Sequence, residues 1–249
     1  RREGVIDVAA RTPDEAIDGA DVVILAAPAT ACIHMLDRLA GPWHAYLAAD
    51  SVVTDVASTK GLIVDRAREH GLRFVGGHPM AGRETTGYQA SSADLLVGRP
   101  WVIVPADGDD EATDRVEDLA ALTGARPVRM PAAKHDSVVA AISHLPLVLA
   151  ASLVESVAGG AAGAAPEWPA VAALAATGWR DSTRLARGDV AMGASIAATN
   201  APALAERVRA VIDVLEQWLV MLERPAGPDE QALADRLRTA RDRLAEADV

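Results

Sequence analysis

A chain of 249 residues, half of them apolar, is long enough to bury a sizeable core in one large domain or two smaller ones. Its formal charge of −11 argues against a nucleic-acid surface, and its single cysteine, Cys32, excludes an internal disulfide and a multi-cysteine zinc site. No apolar run reaches transmembrane length without interruption, and no signal-peptide core follows Arg1-Arg2-Glu3; the expectation is a soluble, cytoplasmic protein with no membrane partner.

Strand and helix signals alternate along the first half. Residues 5–17 read as a connection, and Asp21 to Ala26 is a continuous apolar run of the kind buried in a parallel sheet. A helix is expected from Thr30 to Leu39, a strand from Ser51 to Thr54 and a helix from about Lys60 to Glu69. Ser58 either caps that last helix, leaving Lys60 solvated, or contacts a ligand. Arg73 to Val75, Trp101 to Val104 and Ala125 to Val128 complete the strands, and Asp109 to Leu122 reads as a helix. Such a βαβ series implies a doubly wound sheet.

After Pro131 the strand signals stop. Ala133 to Val157 is helix-like, Gly159 to Ala165 is a Gly/Ala linker, and further helices cover about Trp168 to Ala176, Asn200 to Leu222 and Asp229 to Ala245. A boundary near Met130 to Ala133 therefore divides an α/β domain, 1–131, from an all-α domain, 132–249. A dinucleotide-binding sheet normally opens with a Gly-x-Gly-x-x-Gly turn, which is absent here, so an N-terminal segment is expected to precede Arg1.

Four segments carry chemistry. Gly76 to Glu84 (Gly-Gly-His-Pro-Met-Ala-Gly-Arg-Glu) places His78 in a glycine-bracketed turn after a strand, where a titratable nitrogen stays near a substrate. Gly76, Gly77 and Gly82 are expected to supply backbone freedom there. Lys134-His135-Asp136 and Ser143-His144-Leu145-Pro146 share one expected helix. At about 100° per residue Ser143 lies roughly 80° from His135 and His144 roughly 180° away, so Ser143 is expected to share a site with His135. His144 is expected to be a buried, satisfied histidine. Arg180 and Arg184, if helical, form an i,i+4 pair that a carboxylate ligand, or Asp181 or Asp189, would stabilise. The histidines lack a metal spacing such as His-Glu-x-x-His, so no metal is expected.

In order and spacing, the Asp55 to Lys60 segment, the His78 motif, Lys-His-Asp, Ser-His-Leu-Pro and Arg-Asp-Ser-Thr-Arg at 180 to 184 resemble the prephenate dehydrogenase family. The resemblance implies a Rossmann-like α/β domain, incomplete at its N-terminus, followed by an all-α domain. It also implies an NAD(P)-dependent oxidative decarboxylation in tyrosine biosynthesis, with NAD favoured over NADP. By the same resemblance His78 is catalytic, Ser58 orients the ring hydroxyl, and Arg184 holds a substrate carboxylate. Arg180, His135 and Ser143 contribute to substrate binding, and Ala27, Pro28 and Thr30 face the cofactor. Two positions depart from the family pattern: Leu147 stands where a histidine is frequent, and Gly193 where a tryptophan is. They leave prephenate, arogenate and an amino-substituted analogue open as substrate. The stripe Val208, Val211, Ile212, Leu215 and Leu219 suits a homodimer interface. Two competing readings remain: a non-catalytic relative that binds an aromatic metabolite, and another nicotinamide-dependent hydroxyacid dehydrogenase.

Overall fold

In the computed structural model, residues 4–82, 87–88, 91–160 and 163–247 are described. Arg83 and Glu84 of the histidine motif, Ala161 and Ala162 of the linker, and Arg1 to Glu3 lie outside them. Helix α1 (Pro13–Ile17) precedes β1 (Val22–Leu25), α2 (Ala29–Ala40), β2 (Val52–Asp55), α3 (Gly61–Glu69) and β3 (Phe74–Pro79). Then come β4 (Pro100–Val104), α4 (Asp110–Leu122) and β5 (Arg126–Arg129).

The five strands form one sheet in the order β1-β2-β3-β4-β5. Neighbours run parallel except β3 and β4, whose antiparallel register places His78 opposite Val102. A parallel step needs a crossover, usually helical, and among the described residues no α-helix lies between β3 and β4. The sheet therefore departs from a wholly parallel doubly wound arrangement at that step. Alternation along β2 sends Val53 into a core with Leu36, Leu39 and Ile63 of α2 and α3. Val52 joins Val75, Ile103 and Val116, on the side where α4 packs. Among the described residues β1 pairs only with β2, and its Ile24 is 46% exposed.

Helices follow. A continuous helical stretch comprises α5 (Ala132–Val139), a π-helical turn (Ala140–His144) and α6 (Leu145–Ala158). Ala132–Ala158 is 27 residues long, with an 18-residue window of mean hydropathy 2.0, long and apolar enough by length and composition for a membrane span, although Lys134, Asp136 and Glu155 interrupt the stretch. His135, Asp136 and His144 of its first half are tied into the site described below. Within the expected linker, β6 (Gly159–Gly160) and β7 (Gly163–Ala164) pair as a small ribbon. Short helices α7 (Trp168–Ala173) and α8 (Thr177–Ser182) lead through a 3-10 turn (Arg184–Arg187) to α9 (Val190–Thr199), α10 (Ala201–Leu222) and α11 (Glu230–Glu246). Helix α9 has no counterpart among the expected helices, although four of its ten residues are alanine; Asp189 starts it by accepting from Met192 N–H.

Contacts divide the chain into two compact units, Arg1–Leu204 and Ala205–Val249. In the second, Arg236 stacks over the Trp218 ring at 4.6 Å and donates to the Val214 carbonyl at 3.1 Å, tying α11 to α10.

None of Gly76, Gly77 and Gly82 has a positive φ, and Gly76 and Gly77 serve close approach rather than dihedral freedom, whereas a Cβ on Gly82 would meet nothing within 4 Å. A Cβ on Gly77 would lie 2.5 Å from the Asp55 carbonyl oxygen and 3.0 Å from Trp101 Nε1. Gly77→Ala is expected to destabilise the fold by about 1–3 kcal/mol, by forcing β3 away from β2. Chemical denaturation would read this as a lower midpoint, and an unchanged midpoint would contradict the tight β2/β3 approach.

Candidate active site

Helix α3 starts without a side-chain cap of its own. Ser58, the expected cap, is half-buried, and its hydroxyl has no hydrogen-bond partner among the described residues. Asp136 of α5 takes that part from a distant point in the chain: Oδ1 accepts from Lys60 N–H and Oδ2 from Gly61 N–H, both at 2.8 Å. A carboxylate at a helix N-terminus also meets the positive end of the helix dipole.

The same carboxylate orders the histidines. Asp136 Oδ1 lies 2.8 Å from His135 Nδ1, and His135 Nε2 lies 2.8 Å from His78 Nδ1. Burial disfavours the Asp136 charge, but hydrogen bonds from His135, Gly61 and Lys60 outweigh it and hold the carboxyl below its ordinary range. An ionised Asp136 accepts only, so His135 donates through Nδ1–H. The short contact with His78 needs one donor and one acceptor, and with His135 donating at Nδ1, its Nε2 is the acceptor and His78 Nδ1–H the donor. This leaves the His78 Nε2 lone pair unengaged. Burial, then His135, Lys60 and His144, depress the His78 pKa well below 6.5, so its ring is neutral at physiological pH.

His78 does not sit in a turn as the glycines suggest. It lies in strand β3, half-buried and paired opposite Val102. The β2/β3 ladder ends at Thr54 and Val75, and Asp55 prolongs it by accepting from Gly77 N–H at 3.1 Å. Asp55 also accepts from Ala57 N–H at 3.1 Å and pairs with Lys60 Nζ. Far from being solvated, Lys60 is wholly buried. Burial drives Asp55 up and Lys60 down, each towards its neutral form, and their mutual pairing opposes it.

Beside this network a cavity of about 890 Å³ opens, lined by residues of α6, the 3-10 turn and α9 together with Pro28 and Gly82. Ser143, His144, Arg184 and Asp189 supply polar groups to a mainly apolar wall. His78 and Arg180 are not among the lining residues. The expected i,i+4 arginine pair does not form, because α8 ends at Ser182 and Arg184 begins the 3-10 turn. Only Arg184 reaches the cavity wall.

The α-helical wheel misplaces Ser143 and His144. Pro146 has no N–H to donate back along the helix, and Leu145 N–H bonds to Ala140 O, five residues earlier, in a π turn. The extra residue in that turn rotates His144 into roughly the angular place that an uninterrupted helix gives Ser143. His144 is 1% exposed, and its Nδ1 lies 3.1 Å from Asn200 Nδ2, which also donates to the Asp136 carbonyl at 2.8 Å. Contrary to expectation it is not satisfied: its Nε2 has no partner among the described residues. The departures at 147 and 193 meet in the cavity wall, where a Cβ on Gly193 would lie 3.5 Å from Leu147 Cδ2.

At the carboxyl end of β1, Ala27 is half-buried and Pro28 lines the cavity. Thr30 is turned to α9, its N–H donating to Ser195 Oγ at 2.9 Å and its hydroxyl lying 3.2 Å from the same oxygen. Thr59 and Thr199 hydroxyls bond at 2.8 Å. Helix α9 thus holds the segments that follow both β1 and β2. Asp136 as hub, Asn200, and the Lys60/Asp55 pair escape sequence reasoning, since their partners lie far apart in the chain or carry no periodic signal.

Comparison with known proteins agrees with this architecture. Residues 1–129 match the family model for the prephenate dehydrogenase nucleotide-binding domain, and residues 131–239 match that for the prephenate dehydrogenase dimerization domain. The prephenate dehydrogenase of Bacillus subtilis (strain 168) is 32% identical over 247 residues, 96% of this chain and 63% of that protein. The chain therefore spans under two thirds of that curated relative's length. A crystal structure of a putative prephenate dehydrogenase from Corynebacterium glutamicum superposes with a TM-score of 0.77 at 29% identity, covering 94% of this chain and 72% of that one. Prephenate dehydrogenase from A. aeolicus, solved in complex with hydroxyphenyl propionate and NAD+, gives 0.77 at 27% identity, covering 91% of this chain and 76% of that one. With both of its domain models matched in order across residues 1–239, the chain belongs to the prephenate dehydrogenase family.

Proposed function

We propose that the chain acts in the cytoplasm as an NAD(P)-dependent dehydrogenase, with NAD favoured, that converts prephenate to 4-hydroxyphenylpyruvate in tyrosine biosynthesis. The observation that carries this reading is the chain Asp136–His135–His78, which leaves a neutral imidazole with one unengaged lone pair. A binding module has no need of such a base. The A. aeolicus relative, with its bound hydroxyphenyl propionate and NAD+, lends the reading further support.

The residues present fit the nicotinamide end of a dinucleotide: Ala27 and Pro28 stand at the carboxyl end of a parallel strand, beside the cavity. The sequence holds no Gly-x-Gly-x-x-Gly turn, so the pyrophosphate is assigned to no residue here. A bound dinucleotide would supply the acceptor for a hydride from the ring carbon that bears the hydroxyl. His78 Nε2 accepts the hydroxyl proton, and the imidazolium that forms is stabilised through His135 by the Asp136 carboxylate. Ser58, with its unengaged hydroxyl, orients the ring hydroxyl. Arg184 holds a carboxylate in the cavity, with Ser143 beside it. Loss of the ring carboxylate as carbon dioxide leaves its bonding pair in the ring, which becomes aromatic, and the His78 imidazolium returns its proton to the phenolate oxygen.

The domain boundary is placed between 131 and 132, and the helical domain is assigned a homodimer interface on α10. Ile212, Leu215 and Leu219 are 48%, 54% and 52% exposed, an apolar stripe one subunit leaves uncovered. Light scattering at micromolar concentration is expected to give the mass of two chains, and a monomer would remove the assignment.

Turnover of prephenate with NAD or NADP, followed by absorbance of the reduced cofactor, tests the activity; arogenate and the amino analogue run in parallel identify the substrate. No turnover with any pairing would sink the dehydrogenase reading. His78→Asn is expected to lower kcat by about 100-fold or more while leaving cofactor affinity intact. Because the His78 pKa is depressed, the base stays unprotonated as pH falls through 6.5, and the acid limb of kcat/KM is expected below that value. An acid limb at or above pH 6.5 would contradict the assignment. Arg184→Ala is expected to raise KM about tenfold or more with a smaller change in kcat, and a wild-type KM would release Arg184 from carboxylate binding.

A further inference from the structure

His144 stands outside the roles assigned so far, yet it lines the cavity together with Arg184 and Ser143. Its surroundings fix where its proton sits. Asn200 Nδ2 lies 2.8 Å from the Asp136 carbonyl oxygen, and a carbonyl only accepts, so the atom facing it is the amide NH2 and not the amide oxygen. The same NH2 lies 3.1 Å from His144 Nδ1 and donates to it. His144 Nδ1 therefore carries a lone pair, and the ring proton is on Nε2. That N–H is buried and has no acceptor among the described residues. Native proteins seldom leave a buried donor unmatched, because the lost hydration is not returned.

We propose that His144 is a substrate-binding residue whose Nε2–H, set by Asn200 as positioning residue, donates a hydrogen bond to a carboxylate oxygen of the substrate held in the cavity by Arg184. This rests on the dehydrogenase reading and adds a donor to it. Burial pulls the His144 pKa down to about 4, against the raising effect of Asp136, so the ring binds as a neutral donor through the physiological range. Two histidines on one Asp136 hub thereby present opposite faces: His78 an Nε2 lone pair, His144 an Nε2–H. A donor without charge holds a carboxylate without adding a second cation to a mainly apolar wall, and Arg184 remains the charge that the substrate meets.

The test begins with the wild-type full chain labelled with 15N-histidine. The His144 ring is expected to show the Nε2–H tautomer at pH 7, and an Nδ1–H tautomer would overturn the proposal. Titration with hydroxyphenyl propionate is then expected to shift the His144 Nε2–H proton downfield; binding of this probe with no change at that proton would also overturn it. Among variants, His144→Gln keeps a donor near the Nε2 position and is expected to retain most activity, whereas His144→Asn is expected to lose about tenfold or more in kcat/KM, chiefly through KM. Equal activity in His144→Asn and wild type would remove His144 from substrate binding while leaving the dehydrogenase reading intact. Asn200→Ala is expected to release the tautomer preference in the 15N spectrum together with the loss in KM, a signature that a merely structural role would not give. A wild-type chain that turns over none of the three substrates would instead strike the dehydrogenase reading, with the tautomer still deciding the Asn200 assignment.

Discussion

One carboxylate joins the two halves of the site. Asp136 accepts from the Lys60 and Gly61 N–H groups at the start of α3 and from His135 Nδ1, while its backbone carbonyl accepts from Asn200. These partners come from the sheet region, the first long helical stretch and the start of α10. A capping interaction of this kind is worth about 1 kcal/mol on its own. Its larger effect is geometric, because the groups that end α3 correctly are the same groups that choose the proton positions on two histidines. Displacing Asp136 would uncap a helix and scramble tautomers at once.

Beneath that hub lies the wholly buried pair Lys60 and Asp55. A buried ion pair seldom adds net stability, since the desolvation of both charges offsets their attraction. Its use here is placement. Asp55 accepts from Gly77 N–H just past the end of the β2/β3 ladder, which fixes the backbone immediately before His78. Gly76 leaves Lys60 room under β3: a Cβ there would come 3.2 Å from Lys60 Cδ and 3.1 Å from Val104 Cβ, so that one of them would have to shift. Gly76 and Gly77, which read as loop flexibility, thus let the strand pack closely, with the His78 imidazole held near its end.

Much of the α/β half was legible because buried strands and amphipathic helices write their period into the chain. Each expected strand has its counterpart in the sheet, and α2, α3 and α4 lie within a residue or so of their expected ends. The reversal at β3/β4 was not legible, because direction depends on the connection and not on the strands themselves. The site was read as a list of residues, with its wiring hidden. His78 and His135 carried a signal, and the structure brings them to 2.8 Å. The contacts of Asp136 with Lys60 and Gly61, and of Asn200 with Asp136, span 64 to 76 positions, a range no local pattern encodes. Helix α9 carries an Asp189 cap and four alanines, but Gly193 and Ser195 break up its apolar face, so it lacks the periodic stripe that marks α2 and α4.

The π turn shows how a small backbone change redirects chemistry. Had α5 continued as a regular helix through Pro146, Ser143 would have faced His135, and His144 would have pointed roughly 180° from it. Proline at 146 removes one backbone donor, the hydrogen bond from Leu145 reaches back to Ala140 instead, and the ring moves to meet Asn200. A regular helix costs nothing in hydrogen bonds, so a π turn persists where side-chain contacts compensate for its poorer geometry. Here those contacts are the Asn200 amide and the burial of the imidazole. The wall that follows, with Leu147 and Gly193 in contact range, is apolar where the family often has a histidine and a tryptophan. With those side chains absent, the polar recognition on this wall falls to Ser143, His144, Arg184 and Asp189. Asp189 already commits one oxygen to capping α9, and the tautomer of His144 is fixed from behind by Asn200, so the ring donor and the cation of this wall stand on separate elements, the π turn and the 3-10 turn.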